Sequence, residues 1–214
     1  MKYLIIIFSC FWSSFGYTQV NNKVIDLPIT TCDCNGAIQL FDKPIGPMKS
    51  SHYGKELEIR NNASDDLYFL EREHFSSWFV VKAPFTGELI LDIISEDASE
   101  DFNFLVFLAS GRWFCNKLRE GTEIPLRSNM SSTDRGMGIT GLSLSAPEDY
   151  ISSYDDDSFS SSIQMIAGDF YYIIVDNKRQ TNKGFTIHAR FLKPSELEEM
   201  DGHYQVDVKT KNRF

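Results

Sequence analysis

Short apolar stretches recur about every ten residues after residue 36, and Gly, Pro or polar residues separate them. They are rich in β-branched and aromatic side chains, which is typical of short strands in a sandwich. In 88–94, Leu89, Leu91 and Ile93 fall on one face of a two-residue period. We find no sustained helical periodicity before residue 194. The pattern predicts an all-β, antiparallel, jelly-roll-like β-sandwich with strands at 37–41, 55–60, 67–71, 77–82, 88–94, 102–108, 124–128, 160–166, 170–176 and 184–192.

The first 19 residues have the layout of a secretory signal. Lys2 precedes an apolar run from Tyr3 to Phe15, and small or polar residues follow at 16–19. The run is too short and too interrupted by serine to span a bilayer, and no later run reaches the length of a transmembrane helix. We therefore expect an exported chain without a transmembrane helix after signal removal. It divides into a signal peptide (1–19), an N-terminal lead-in (20–33), the sandwich (34–192) and a C-terminal tail (193–214).

The charge balance narrows the range of partners. The chain carries 21 Lys and Arg residues against 30 Asp and Glu residues, a formal net charge of −9. Nucleic acid and anionic lipid need a positive surface that neutralises phosphate, so both are unexpected partners. Calcium or a basic protein would suit an acidic chain better.

Three cysteines follow the predicted signal, and an exported protein meets an oxidising compartment where cysteines pair. Either Cys34 or Cys32 with Cys115 would close a loop of about 80 residues, and long loops gain the most from a disulfide in the chain-entropy argument. Zinc is the rival interpretation of Cys32-x-Cys34. That spacing is tighter than in usual zinc sites, and no His-x-His partner follows, so a disulfide is favoured.

Motifs of hydrolytic enzymes are missing from the sequence. There is no Gly-x-Ser-x-Gly elbow and no His-Glu-x-x-His helix, and the four histidines are scattered. A carboxylate pair for glycoside cleavage would be compatible with 30 acidic residues, but nothing singles out two of them. We therefore expect a protein that is not an enzyme.

An acidic stretch precedes the predicted strand 102–108. Asp97, Glu100, Asp101 and Asn103 supply oxygen atoms of the kind that calcium prefers, and Asp176 at the end of another strand could complete the shell. The alternative is a solvated turn that keeps the strand ends soluble. No EF-hand spacing is present, so the sequence leaves calcium as a hypothesis.

A second candidate site combines aromatic residues with a long polar segment. Residues 129–158 are rich in Gly, Ser and Asp, and this predicted loop is much longer than most loops. Loops of such length often have a function. Trp113, Tyr150 and Tyr154 could form a platform for a sugar or a peptide. Alternatively, Trp113 packs against the disulfide, because large aromatic side chains are mostly buried.

Four residues are predicted to have structural roles. Trp78 lies in a predicted strand and is expected in the core, with its indole N–H bonded to a partner such as Glu73. Arg127 could bind an acidic partner, or it could brace Glu71 or Glu73 within the sandwich and so fix the register of two strands. We favour the internal brace.

A series of short motifs in a fixed order suggests a family. They are Glu71-Arg-Glu73-His-Phe-Ser-Ser-Trp78-Phe79, Pro84-x-x-Gly87 leading into 88–94, Asp101-Phe-Asn103-Phe, Cys115, Arg127-Ser-Asn129, Gly138-Ile-Thr-Gly-Leu-Ser143, Gly168-Asp-Phe-Tyr-Tyr-Ile-Ile-Val-Asp176-Asn177 and Gly184-Phe-Thr186. Together they resemble the bacterial pre-peptidase C-terminal domain of exported and outer-membrane-associated envelope proteins. The resemblance covers residues 34–192.

This resemblance implies a jelly-roll-like accessory module that binds, shields or targets and does not catalyse. It also implies that the acidic start of strand 102–108 could hold calcium, although the family often has Asp-x-Asp-Phe where this chain has Asp101-Phe-Asn103-Phe. The expected partner is an envelope or secreted protein, or a cell-surface glycan. The expected location is the periplasm, the outer membrane or the extracellular space. The alternative function is a carbohydrate-binding or hydrolytic domain that uses residues 129–158.

Overall fold

The computed structural model describes residues 23–50, 52–59, 67–131, 138–181 and 183–197. The predicted signal peptide and most of the predicted tail lie outside these residues. Within them most of the regular secondary structure is strand, and the helical elements are short. The strands are β1 Ile25–Asp26, β2 Ile38–Gln39, β3 Ile45–Lys49, β4 Phe75–Lys82, β5 Gly87–Ser95, β6 Phe102–Leu108, β7 Arg127–Asn129, β8 Ile139–Ser143, β9 Tyr150–Ile151, β10 Phe159–Ser161, β11 Ile163–Met165, β12 Phe170–Asn177 and β13 Phe185–Leu192.

The strands form two sheets. The first sheet has the order β1-β3-β13-β5-β8-β10, with β11 also paired to β5, and the second has the order β2-β4-β12-β6-β7-β9. The long central pairs are antiparallel, whereas β1–β3, β2–β4, β7–β9 and β8–β10 are short parallel pairs. The prediction of an all-β sandwich is confirmed, with mixed sheets rather than purely antiparallel ones.

The main hydrophobic core lies between the two sheets, and the two-residue period of the strands builds it. Leu89, Leu91 and Ile93 of β5 are buried there, as predicted from their alternation. Alternate residues of β12 and β6, such as Ile173 and Phe104, face them from the second sheet. This core fixes which residues of the second sheet point away from the first.

A second hydrophobic core lies on the outer face of the second sheet, the face that points away from the first sheet. Trp78 of β4, Leu105 and Phe107 of β6 and Ile174 of β12 form its floor. The short helix α1, Phe114–Arg119, covers part of this floor. Two 3-10 turns, Ile29–Cys32 and Cys34–Gly36, precede β2, and Cys34 of the second turn also belongs to this core. The central strands of the second sheet are therefore apolar on both faces, as expected for a strand covered on both sides.

The Cys34–Cys115 disulfide ties the turn Cys34–Gly36 to α1, and both half-cystines belong to the second core. The prediction of a disulfide is confirmed, and Cys34 rather than Cys32 is the partner of Cys115. Cys32 is free and buried, with its Sγ atom 3.3 Å from the Ser50 hydroxyl oxygen. The bond therefore joins the beginning of the described chain to the cover of the outer face.

Several predicted elements were wrong. The described part of 55–60 and the segment 67–71 form no strand, although both lie against the second sheet. Residues 129–158 are not a single loop, because β8 and β9 lie within them. Helix α1 was not predicted, because its six residues are fewer than two turns and too short to show a helical period.

Candidate functional site

An open apolar cleft of about 220 Å³ lies on the outer face of the second sheet, between α1 and the residue pairs 58–59 and 69–70. Leu105 and Phe107 of β6 form its floor. The other lining residues are Glu58, Ile59, Phe69, Leu70, Leu118, Gly121, Glu123, Ile124 and Pro125. Among the residues that the structure describes, this lining contains two carboxylates and no Lys, Arg or His. We call this feature the Glu58 cleft.

Glu58 is the most unusual residue of the cleft. It is only 1% exposed, and its Oε1 atom accepts a hydrogen bond from the backbone N–H of Cys34 at 3.2 Å. Its Oε2 atom is buried and has no hydrogen-bond partner among the described residues. Burial raises the pKa of Glu58 to about 7, since a charged carboxylate is poorly stabilised away from water. The chain therefore keeps a carboxyl group with an unused oxygen in the wall of an apolar cleft.

Two more buried acidic residues share the outer face with Glu58. Glu73 accepts hydrogen bonds from the backbone N–H of Ile59 at 2.8 Å and from the Ser76 hydroxyl at 3.0 Å. Burial is the main cause that raises the pKa of Glu73 to about 8, and the charge of Glu58 adds to it. Asp176 accepts the backbone N–H of His74 at 2.6 Å and lies 2.8 Å from His74 Nδ1. These acids hold the segment around residues 58–59 and the start of β4 against the sheet.

The residues of the calcium hypothesis lie at one end of the second sheet. Asn103 and Asp176 are direct neighbours across β6 and β12, so the proximity that the hypothesis required is present. Asp97 is exposed, whereas Glu100, Asp101, Asn103 and Asp176 are buried.

These oxygen atoms are largely bonded to N–H groups. Glu100 accepts hydrogen bonds from the Asn177 side chain and from the backbone N–H of Lys183, and both Asp176 oxygens face His74. Asn103 Oδ1 is buried and has no partner among the described residues. Across those residues, no three His, Cys, Asp or Glu side chains are grouped as a metal site would require. Calcium stays a prediction.

The structure separates the three aromatic residues of the predicted platform. Trp113 is 64% exposed and borders a cleft with Phe170 and Tyr172, so the burial that the alternative assumed is absent. Tyr150 lies in another cleft beside Phe69, and its hydroxyl donates to the Pro125 carbonyl at 2.9 Å. Tyr154 is 76% exposed and lines neither of these clefts.

Two of the predicted structural contacts were wrong. Arg127 does not brace Glu71 or Glu73: it donates to the carbonyls of Ser161 and Ser162 and forms a 3.2 Å ion pair with Asp149. It therefore ties β7 to the first sheet around β10 and β11.

Trp78 is fully buried, as predicted, but its indole N–H has no partner among the described residues. Glu71 is exposed. The predicted bond from Trp78 to Glu73 is therefore absent, and Glu73 holds Ile59 and Ser76 instead.

Sequence reasoning missed Glu58 as a functional residue. The stretch 55–60 alternates polar and apolar residues, so its pattern predicts a strand and gives Glu58 no particular role. No local signal shows that the segment packs on a sheet, because its partners Cys34 and Glu73 are 24 and 15 residues away. An acidic residue in an otherwise apolar surrounding becomes visible only in three dimensions.

No protein-family model matches the chain, and no curated protein matches it. Among solved structures, the chain is similar to CorA of Methylomicrobium album BG8, a surface-associated copper-binding protein important in copper acquisition. The two share 11% sequence identity with a TM-score of 0.32, over 56% of this chain and 82% of the other. No helix in the described residues is both long enough and apolar enough to cross a membrane.

Proposed function

We propose that this chain is an exported, non-catalytic binding module of the bacterial cell envelope, with the Glu58 cleft as its binding site. The carrying observation is an open apolar cleft lined in part by Glu58, a buried acid whose Oε2 atom has no donor among the described residues. Concave apolar sites with a few polar groups are the usual form of ligand sites. The Cys34–Cys115 disulfide supports export, since stable disulfides belong to oxidising compartments.

The order of motifs between residues 34 and 192 supports a place among pre-peptidase C-terminal domains. That kinship would make the chain an accessory module, with an envelope or secreted protein as its partner. The net charge of −9 favours a partner with basic groups.

Hydrogen bonding on the outer face supports a non-catalytic role. Hydrolysis by a serine needs a hydroxyl that donates to a base such as histidine. The Ser76 hydroxyl donates to Glu73 at 3.0 Å rather than to a histidine.

A binding experiment with cleft variants tests this function. The labelled chain, from residue 20 onwards, is expected to bind saturably to the envelope fraction of the producing cell. Ile124 is 75% exposed at the cleft, so Ile124→Trp should fill the opening without disturbing the core and should weaken binding at least tenfold. Ile166→Trp is the matched control, because Ile166 is 61% exposed and lines none of the clefts described above.

Equal binding by wild type and Ile124→Trp would reject the cleft as the site. A broad hydrolase screen is the second arm. Turnover that disappears in His74→Ala would reject the non-catalytic role.

Glycan binding is the second candidate function, and the exposure of Trp113 favours it. Trp113, Phe170 and Tyr172 border a cleft of about 620 Å³, and an exposed aromatic face is suited to stacking on a sugar ring. A glycan array with wild type, Trp113→Ala and Tyr154→Ala separates the two functions. Specific glycan binding that only Trp113→Ala abolishes would move the site from the Glu58 cleft to Trp113.

Calcium at the start of β6 remains part of the proposal as a stabilising ion. If it binds, the melting temperature of EDTA-treated protein should rise with added calcium and not with magnesium, and Asp101→Ala should remove the rise. A melting temperature that calcium leaves unchanged in wild type would remove the site.

A further inference from the structure

The Glu58 cleft combines three properties that together define a class of ligand. Its floor and walls are mainly apolar, the two ionisable residues in its described lining are both acidic, and Oε2 of the more buried one has no donor in the part of the chain that the structure describes. The second acid, Glu123, lies at the rim within reach of the Ser110 hydroxyl and of Lys117 at 3.8 Å. The unused acceptor is therefore that of Glu58.

A buried acceptor without a donor costs free energy, and a donor supplied by a ligand recovers it. The cost of an ionised carboxylate in an apolar surrounding is larger still, and a cation with its own hydrogen bonds is the group that compensates it best. Among the described residues, the charge interactions of Glu58 are with two other acids, Asp33 and Glu73, and neither supplies a positive charge that would compensate an ionised Glu58.

The size of the cleft limits the ligand. A volume of about 220 Å³ is below the range of typical pockets for drug-sized ligands, which begins at about 300 Å³. A single long side chain fits such a space better than a bulky molecule. An apolar stem would cover Leu105 and Phe107, and a charged end would reach Glu58.

We infer that the Glu58 cleft receives a lysine side chain of a partner protein, with the methylene stem on Leu105 and Phe107 and the ammonium group on Glu58 Oε2. This deepens the binding function proposed above and rests on it. Lysine has the required form, because it is a compact ammonium on a flexible apolar stem. Arginine matches less well, since its planar fork prefers two acceptor oxygens and Oε1 of Glu58 already holds Cys34.

Binding and proton release are coupled in this arrangement. With the pKa of Glu58 raised to about 7, part of the free protein carries a proton there at neutral pH. An arriving ammonium group favours the ionised carboxylate, so the proton leaves as lysine binds. Affinity should therefore increase as pH rises from about 6 to 8, while the lysine itself stays charged.

Titration of the protein with short capped peptides tests the inference. The NMR chemical shifts of backbone amides around the cleft report binding and give the affinity. The probe is acetyl-Gly-Gly-Lys-Gly-Gly-amide, and the same peptide with norleucine or arginine is the matched comparison. The lysine peptide is expected to bind at least tenfold more tightly than the norleucine peptide. Its affinity should rise severalfold between pH 6 and 8 and fall at least tenfold in Glu58→Gln.

The control variant is Glu96→Gln, which alters an exposed carboxylate that follows β5 and lies outside the Glu58 cleft, and it should change affinity less than threefold. Equal binding of lysine and norleucine peptides to wild type would overturn the inference, even if Glu58→Gln failed to fold. Binding of n-butylamine without binding of the lysine peptide would also overturn it, because the ligand would then be a free amine.

The envelope-binding experiment separates this failure from failure of the proposed function. If Ile124→Trp abolishes envelope binding while the lysine peptide neither binds nor competes, the cleft is the site and the lysine assignment is wrong. If Ile124→Trp leaves envelope binding intact, the proposed function itself fails.

Discussion

At the scale of single residues, the chain depends on burying acids that remain hydrogen bonded. Glu73 and Asp176 hold backbone N–H groups that no strand partner satisfies, and Glu58 does the same for Cys34. A buried N–H without an acceptor costs about as much as a lost hydrogen bond, so an acid is a reasonable choice at these positions. The charge is the disadvantage, and it makes stability depend on pH.

The first prediction concerns this pH dependence. Glu73 has a folded-state pKa raised to about 8 from an ordinary value of 4.5, so between these values the folded chain holds a proton that the unfolded chain has lost. The free energy of unfolding should therefore fall as pH rises from about 4.5 to 8, by on the order of 3 kcal/mol for one such group. Urea unfolding at intervals across this range measures the slope.

Glu73→Gln should remove most of the contribution of Glu73 to this slope, because the amide keeps an acceptor for Ile59 and cannot ionise. Glu120→Gln on the exposed end of α1 is the matched control and should leave the slope unchanged. A stability that rises from pH 4.5 to 8 in wild type would contradict the assignment of Glu73 as a buried, protonated acid.

At the scale of elements, the outer core depends on α1, which is too short to be a stable helix alone. Isolated helices below about 12 residues are marginal in water, and α1 has six residues without a side-chain cap. Packing of Phe114 on Phe107 and Tyr172, together with the bond from Cys115 to Cys34, holds it on the sheet.

The second prediction follows from this anchoring. The disulfide spans 81 residues, for which the chain-entropy argument gives about 4–5 kcal/mol as an upper value. The double variant Cys34→Ala, Cys115→Ala should lower the free energy of unfolding by several kcal/mol in urea titration. Cys32→Ser, which alters a free buried cysteine, should cost less. Equal losses in the two proteins would mean that the bond itself contributes little.

The sequence predicts an element well when the residues of that element determine it. It predicts an element poorly when a packing partner far along the chain determines it. Strands β4, β5, β6, β12 and β13 carry long apolar or alternating runs, so their own residues reveal them. Strand β8 does not: Gly141 lies so close to β5 that a Cβ atom would stand 1.8 Å from the Leu91 carbonyl oxygen. The packing partner, rather than a local pattern, requires glycine there.

The candidate site shows the same limit. The cysteines of the sequence predict a disulfide to Cys115 and leave Cys32 or Cys34 as the partner, and the structure selects Cys34. The calcium hypothesis requires Asp176 to lie near Asn103, and the two residues are paired across β12 and β6. Glu58 could not be found, because its burial arises from a segment folded over a sheet that is distant in sequence. A carboxyl group without a donor is a property of the assembled surface.

At the scale of the whole molecule, the second sheet is shared by two hydrophobic cores. Leu105 and Val106 are neighbours in β6, yet Leu105 belongs to the outer core and Val106 to the core between the sheets. When packing is lost on one face of such a sheet, the strands and their backbone hydrogen bonds are weakened. The same strands also carry the core on the other face, so that core is weakened too. The two cores should therefore unfold together.

The last prediction tests this coupling. Leu105→Ala and Val106→Ala each remove buried methyl groups, so each should lower the free energy of unfolding, by about 2–4 and about 1–3 kcal/mol respectively. Leu108→Ala, at the 39% exposed end of the same strand, should cost less than either. Far-UV circular dichroism and Trp78 fluorescence should report one common transition for every variant, measured in a Trp113→Phe background on the chain from residue 20 onwards, which also lacks Trp12. If Leu105→Ala shifted the Trp78 transition to lower urea and left the far-UV transition in place, the outer core would be a separate unit. The Glu58 cleft could then open without unfolding the sandwich.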